Sequence, residues 1–163
     1  MALLLARAED TDVLIERHVF SLYHVLELES AATQARPLLR LLDEQLLIRS
    51  PGEDHIATVE LQLWDGPPEP SSQTDDHPWE ADEFCRFRIH HDQLSIWQLT
   101  SGPTAIGVDV QPGWYRMRVR SAGGSAVARA IEVYDPDEDV EENFEGILRG
   151  FETFLLQVWP AEK

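Results

Sequence analysis

Trp114 to Arg120 alternates without a fault. Tyr115, Met117 and Val119 lie on one parity, and Trp114, Arg116, Arg118 and Arg120 on the other. A period of two over this length demands a strand with one face in a core and the other in water. The same pattern recurs. In Ile56–Trp64, Val59, Leu61 and Leu63 oppose Thr58, Glu60 and Gln62, with Trp64 on the polar parity. Phe84–His90 sets Cys85, Phe87 and Ile89 on its inner parity. His18–Ser30 places Phe20, Leu22, Leu26 and Leu28 together, with His24 among them.

Turn residues separate these runs. Ser50–Asp54 and Gln111-Pro-Gly113 are turns, and Gly123-Gly124 ends the Trp114 strand. A tight His91-Asp92 turn predicts a hairpin between Phe84–His90 and Gln93–Leu99. Leu46–Arg49, Gly107–Val110 and Thr153–Trp159 read as further strands, the last stopped by Pro160. Pro37 with Leu38, Leu39, Leu41 and Leu42 predicts a short helix within Gln34–Asp43. Ala126–Tyr134 fits strand or helix, and the acids before Glu141–Gly150 favour a helix start there. Asp65–Asp76 is a long polar loop. Strands this short, at a spacing of roughly 8 to 15 residues, predict a mainly β chain. The expected architecture is a single-domain antiparallel β-sandwich over residues 1–163 with one or two short helices.

Composition narrows the function. Formal net charge is -17, which disfavours nucleic acid and anionic membranes as partners. The basic side chains are twelve arginines and Lys163. One cysteine, Cys85, makes no internal disulfide, and the apolar stretch at Met1–Ala6 is too short for a secretory core. A cytoplasmic protein is the expectation.

Pro112–Arg120, the Pro-Pro loop after Trp64-Asp-Gly66, the acidic approach to the end and Phe154–Pro160 with its closing Trp-Pro resemble a family of small bacterial β-sandwich proteins of unknown function. The resemblance runs from about Ile56 onward, and its motifs are structural. In size, charge and strand order the chain is distantly similar to the competence protein J type. That likeness implies an acidic cytoplasmic protein that inhibits a partner nuclease.

Two acidic clusters are candidate docking surfaces. Asp135–Glu145 holds seven carboxylates in eleven residues and nothing basic: Asp135, Asp137, Glu138, Asp139, Glu141, Glu142 and Glu145. Its Asp-x-Asp-x-Asp opening copies a calcium loop. The sixth and twelfth positions, which need Gly and Glu, are Val140 and Gly146. The second cluster, Asp75, Asp76, Glu80, Asp82 and Glu83, surrounds Trp79, either an interface anchor or a plug for one end of the sandwich. Arg116, Arg118 and Arg120 project from one strand face, and Arg86 and Arg88 from another. Side by side they form a ladder that binds an anion or, more simply, pairs with acids such as Glu60 or the Asp135 run.

Other residues argue against local chemistry. His18 and His24 stand about 20 Å apart in one continuous strand, and His90 and His91 point oppositely in another. A metal site requires assembly across the fold. Cys85 and His90 fall on opposite faces, so Cys85 reads as a buried structural thiol. The tryptophans at 64, 97, 114 and 159 are expected to pack the core and close its ends. No catalytic set, cofactor fingerprint or metal-ligand spacing occurs. The leading expectation is a non-catalytic acidic protein that docks on a basic protein partner as an inhibitor or immunity protein. The alternative is a small-ligand or metal-binding β-sandwich. An enzyme assembled from distant strands and a structural subunit are the remaining classes. Oligomeric state is left open.

Overall fold

The computed structural model describes residues 1–30, 38–69, 78–133 and 149–162. Its elements are β1 (Leu4–Ile15), β2 (Val19–Tyr23), β3 (Val25–Ser30), β4 (Leu39–Leu42), β5 (Gln45–Arg49), β6 (His55–Trp64), β7 (Ala81–Ile89), β8 (Gln93–Gln98), β9 (Gly102–Asp109), β10 (Gly113–Ala122), α1 (Gly124–Val133) and β11 (Arg149–Pro160). They form two sheets. The six-stranded sheet runs β1-β6-β11-β10-β7-β3 and the five-stranded sheet β4-β5-β2-β8-β9. The pairing is antiparallel except for β11, which runs parallel to β6. The mainly β sandwich expected from the alternation is therefore present, with one parallel pair inside it.

The inner faces meet in an aliphatic core. Leu61, Phe87, Met117 and Leu156 come from the larger sheet, and Phe20, Leu46, Leu94 and Ile106 from the smaller; all are buried. Phe20 and Phe154 cross the interface edge to face, with centroids 4.9 Å apart. Burial of such side chains stabilises by about 1.5–3 kcal/mol each. The period-two sequences place these residues inward, and β6 alternates buried and half-buried along its whole length.

Several expectations change. His18–Ser30 is two strands, because His24 takes a left-handed backbone (φ 74°). That residue turns the chain from β2 in one sheet to β3 in the other. Val25 is buried and Leu26 exposed, because a register shift falls between Val25 and Glu27; Leu26 leaves the inner set, and Leu28, opposite Phe87, rejoins it. The hairpin through His91-Asp92 does not form, since β7 and β8 lie in different sheets. The short helix also fails where residues are described. Leu39–Leu42 is β4, bonded to β5 from Leu39↔Ile48 to Leu42↔Gln45. The edge of β5 supplies hydrogen bonds that four isolated residues cannot make as a helix.

The N-terminal segment forms the long edge strand β1, which the alternation did not signal. Register shifts at Leu4/Ala6 and Asp10/Val13 break its period. Ala126–Tyr134 resolves to helix over Gly124–Val133, and Gly107–Val110 is the end of the longer β9. Residues 70–77 of the polar loop, the start of the proposed Gln34–Asp43 helix and residues 134–148 lie outside the described set.

Candidate docking face

The outward face of the larger sheet carries the arginine ladder. β10 lies between β7 and β11, and its register puts Arg116 opposite Arg86, Arg118 opposite Phe84 and Arg120 opposite Asp82. β3 lies beyond β7, with Glu27 opposite Arg88 and Glu29 opposite Arg86. Cross-strand acids thus sit where the guanidinium groups need them. Arg86 meets Glu29 at 3.1 Å, and Arg88 meets Glu27 at 3.2 Å. Asp82 takes two hydrogen bonds from Arg118, the Nε one at 2.8 Å, and lies 3.5 Å from Arg120. Partial burial pushes the Asp82 carboxyl up; the Arg118 bonds and charge, with Arg120, outweigh it and hold it below the ordinary range.

Aromatic rings complete the ladder. Arg86 lies 4.2 Å over the Trp114 ring, Arg118 5.1 Å over Phe84 and Arg120 5.7 Å over Trp79. Cation–π contact and ion pairing act on the same guanidinium groups. Arg116 is exposed and makes no ion pair among the described residues. The tryptophans accordingly do not fill the core as expected. Trp64, Trp97 and Trp114 are half-buried on outward faces, while Trp159 is buried. Two indole N–H groups explain part of this: Trp64 donates to Gln62 and Trp97 to Ser95, acceptors an aliphatic core lacks.

The acids around Trp79 are engaged internally. Glu83 accepts the Leu38 N–H at 2.8 Å. Glu80 accepts from the Gly123 and Ser125 N–H groups and the Ser125 hydroxyl, capping the start of α1. Burial pushes Glu80 up, and these bonds to Ser125 and Gly123 bring it below the usual carboxylate range. Trp79 lies against Arg120. Asp75, Asp76, Asp135, Asp137, Glu138, Asp139, Glu141 and Glu142 lie outside the described residues. Among described acids, Asp92, Asp109 and Glu132 make no ion pair.

Cys85 is buried opposite Met117, and burial pushes its thiol up to about 12. Thiolate chemistry at neutral pH is thereby suppressed. Ser50, His55 and Glu152 form a buried trio that the sequence did not suggest. Glu152 Oε2 accepts the Ser50 hydroxyl at 2.6 Å and meets His55 Nε2 at 2.8 Å. The carboxylate sits between the other two, so serine and imidazole lack the direct bond a nucleophile–base pair requires. The trio ties the turn after β5 to β6 and β11.

Histidines distant in sequence also converge. His24, at the β2–β3 turn, and His90 and His91, between β7 and β8, present ligand nitrogens within 4.8 Å of one another. Strand parity hid this, because both segments are places where the chain changes sheet.

No protein family matches the chain, and no curated protein does. Solved structures share its fold. ComJ from Bacillus subtilis, an inhibitor of the DNA degrading activity of NucA, superposes with a TM-score of 0.51 at 12% identity over 99% of each chain. The crocagin biosynthetic gene J product gives 0.50 at 15% identity, covering 97% of this chain and all of the other. These likenesses carry the fold across most of the chain. Among the described residues, no helix is long and apolar enough to cross a membrane.

Proposed function

We propose that this chain is a non-catalytic binding module of the inhibitor type, docking through carboxylates on a basic protein partner. One observation carries the reading: half of the twelve arginines that would offset the acidic surface are already paired within the chain. Arg7, Arg86, Arg88, Arg118, Arg120 and Arg149 each hold a carboxylate of their own chain. The excess of acids over basic residues, a net charge of -17, is what a basic partner would meet. The fold shared with an inhibitor of the DNA degrading activity of NucA supports a protein, and specifically a nuclease, as that partner.

On this reading the charge for docking comes from Asp135, Asp137, Glu138, Asp139, Glu141 and Glu142, and Trp79, Asp82 and Glu83 contribute to the docking surface. The chain acts as one domain in the cytoplasm. Such steering accelerates association and weakens with salt. Capture from the source cytoplasm at low and high salt tests it. A basic protein retained at low salt and released at high salt is the expected result; recovery of no basic protein under either condition contradicts the reading.

A further inference from the structure

We propose that His24, His90 and His91 bind a divalent transition-metal ion of the zinc type at the corner where the chain twice changes sheet. This is independent of the docking reading. Three imidazoles from two distant segments meet here, their ligand nitrogens within 4.8 Å of one another. His24 and His91 rings lie 4.1 Å apart between centroids, His90 and His91 4.6 Å. Imidazoles suit zinc, copper and nickel, and three of them with an open fourth position make a known type of zinc coordination. Zn–N bonds of about 2.0–2.1 Å place tetrahedral nitrogens roughly 3.4 Å apart. His24 and His90 are the widest pair, with centroids 6.0 Å apart, so ligation would draw those two rings together as well as turning the exposed His91.

Two further observations point to a ligand. Nδ1 of His24 and Nδ1 of His90 are buried without a hydrogen-bond partner. Buried polar atoms ordinarily have one, and a metal ion would supply it. The opposite nitrogen of His90, Nε2, lies 3.5 Å from Glu44 Oε2. That is the order carboxylate, histidine, metal, in which an outer carboxylate orients the ring. The Glu44 backbone is held at this corner, because its carbonyl accepts the N–H groups of His24 and Val25 at 2.9 and 3.1 Å. His24 reaches the cluster through its left-handed backbone, an uncommon state for a residue other than glycine. The ion would staple the β2–β3 turn to the β7–β8 crossing.

The test is calorimetric titration of the tag-free full chain, stripped with chelator, with zinc chloride. One ion per chain is expected, with Tm rising by roughly 5–10 °C at zinc a hundredfold above Kd. His91→Ala is exposed enough to fold and should weaken binding at least tenfold; Glu44→Gln should weaken it about 10–100-fold. His18→Ala should bind as the parent does. Cobalt titration of the unmodified chain gives a readout free of any variant, since a four-coordinate site produces intense visible bands. Flat zinc heats, absent cobalt bands or a His91→Ala variant that binds like the parent would each overturn the site.

Discussion

Glu152 carries the heaviest demand of any single residue. It is wholly buried with His55, at 0% exposure for both side chains, and it serves Ser50 and His55 through one oxygen. Removing one partner of a buried pair leaves the other uncompensated. Glu152→Leu leaves the Ser50 hydroxyl and His55 Nε2 without their shared partner and should cost about 1–3 kcal/mol for each, read as a lower urea midpoint. Glu152→Gln, which keeps an acceptor, should cost less. Asp82 makes a second residue-scale prediction. Its folded value lies below the ordinary 3.8, so the unfolded chain binds more protons there. Its contribution is present above about pH 4 and is lost as pH falls through the depressed value. Asp82→Asn should be less stable than the parent at about pH 7, and the gap should narrow progressively as pH falls below the ordinary carboxylate range. A gap independent of pH would remove Asp82 from the ladder. The arginines of that ladder were legible as residues, because alternate positions on a strand share a face. Their pairing with Glu27 and Glu29 was not legible, since nothing local shows that β3 is the neighbour of β7.

At the scale of elements, the β10–α1 junction is the most constrained. Gly123 has φ +87°, and a Cβ there would stand 1.6 Å from the Phe151 carbonyl oxygen. Strand, helix and β11 backbone meet with no room for a side chain. Gly123→Ala should destabilise by more than about 1 kcal/mol, the scale of a compatible Gly→Ala gain with its sign reversed. Equal urea midpoints for the two proteins would mean the junction moves freely. The Gly-Gly pair was readable as a strand end; that a helix follows at once was not settled by Ala126–Tyr134, whose apolar residues fit either period. The sheet changes were the main omission. A left-handed residue such as His24 carries the chain from one sheet to the other without a glycine or proline to announce it. The same blind spot hid the three-histidine corner, because both crossings looked like continuous strand or hairpin.

At the scale of the molecule, alternation was sufficient for the sandwich, since period two in several runs admits few other architectures. It was silent on strand order and on the parallel β6–β11 pair, which depend on where connections cross. The charge balance was legible from composition, but its distribution needed the ion pairs. Four of the five ladder arginines pair with Glu27, Glu29 and Asp82, and the acids outside the ladder are the proposed docking surface. Carbodiimide cross-linking of the captured complex tests this most directly, because the reagent joins carboxylates to amines they touch. With Lys163 as its one lysine, the chain offers itself almost nothing to react with. The expected links run from acids outside the arginine pairs, the Asp135–Glu142 run above all, to lysines of a basic protein. A bound protein that is not basic, or one that forms no carboxylate–lysine link with this chain, would contradict it.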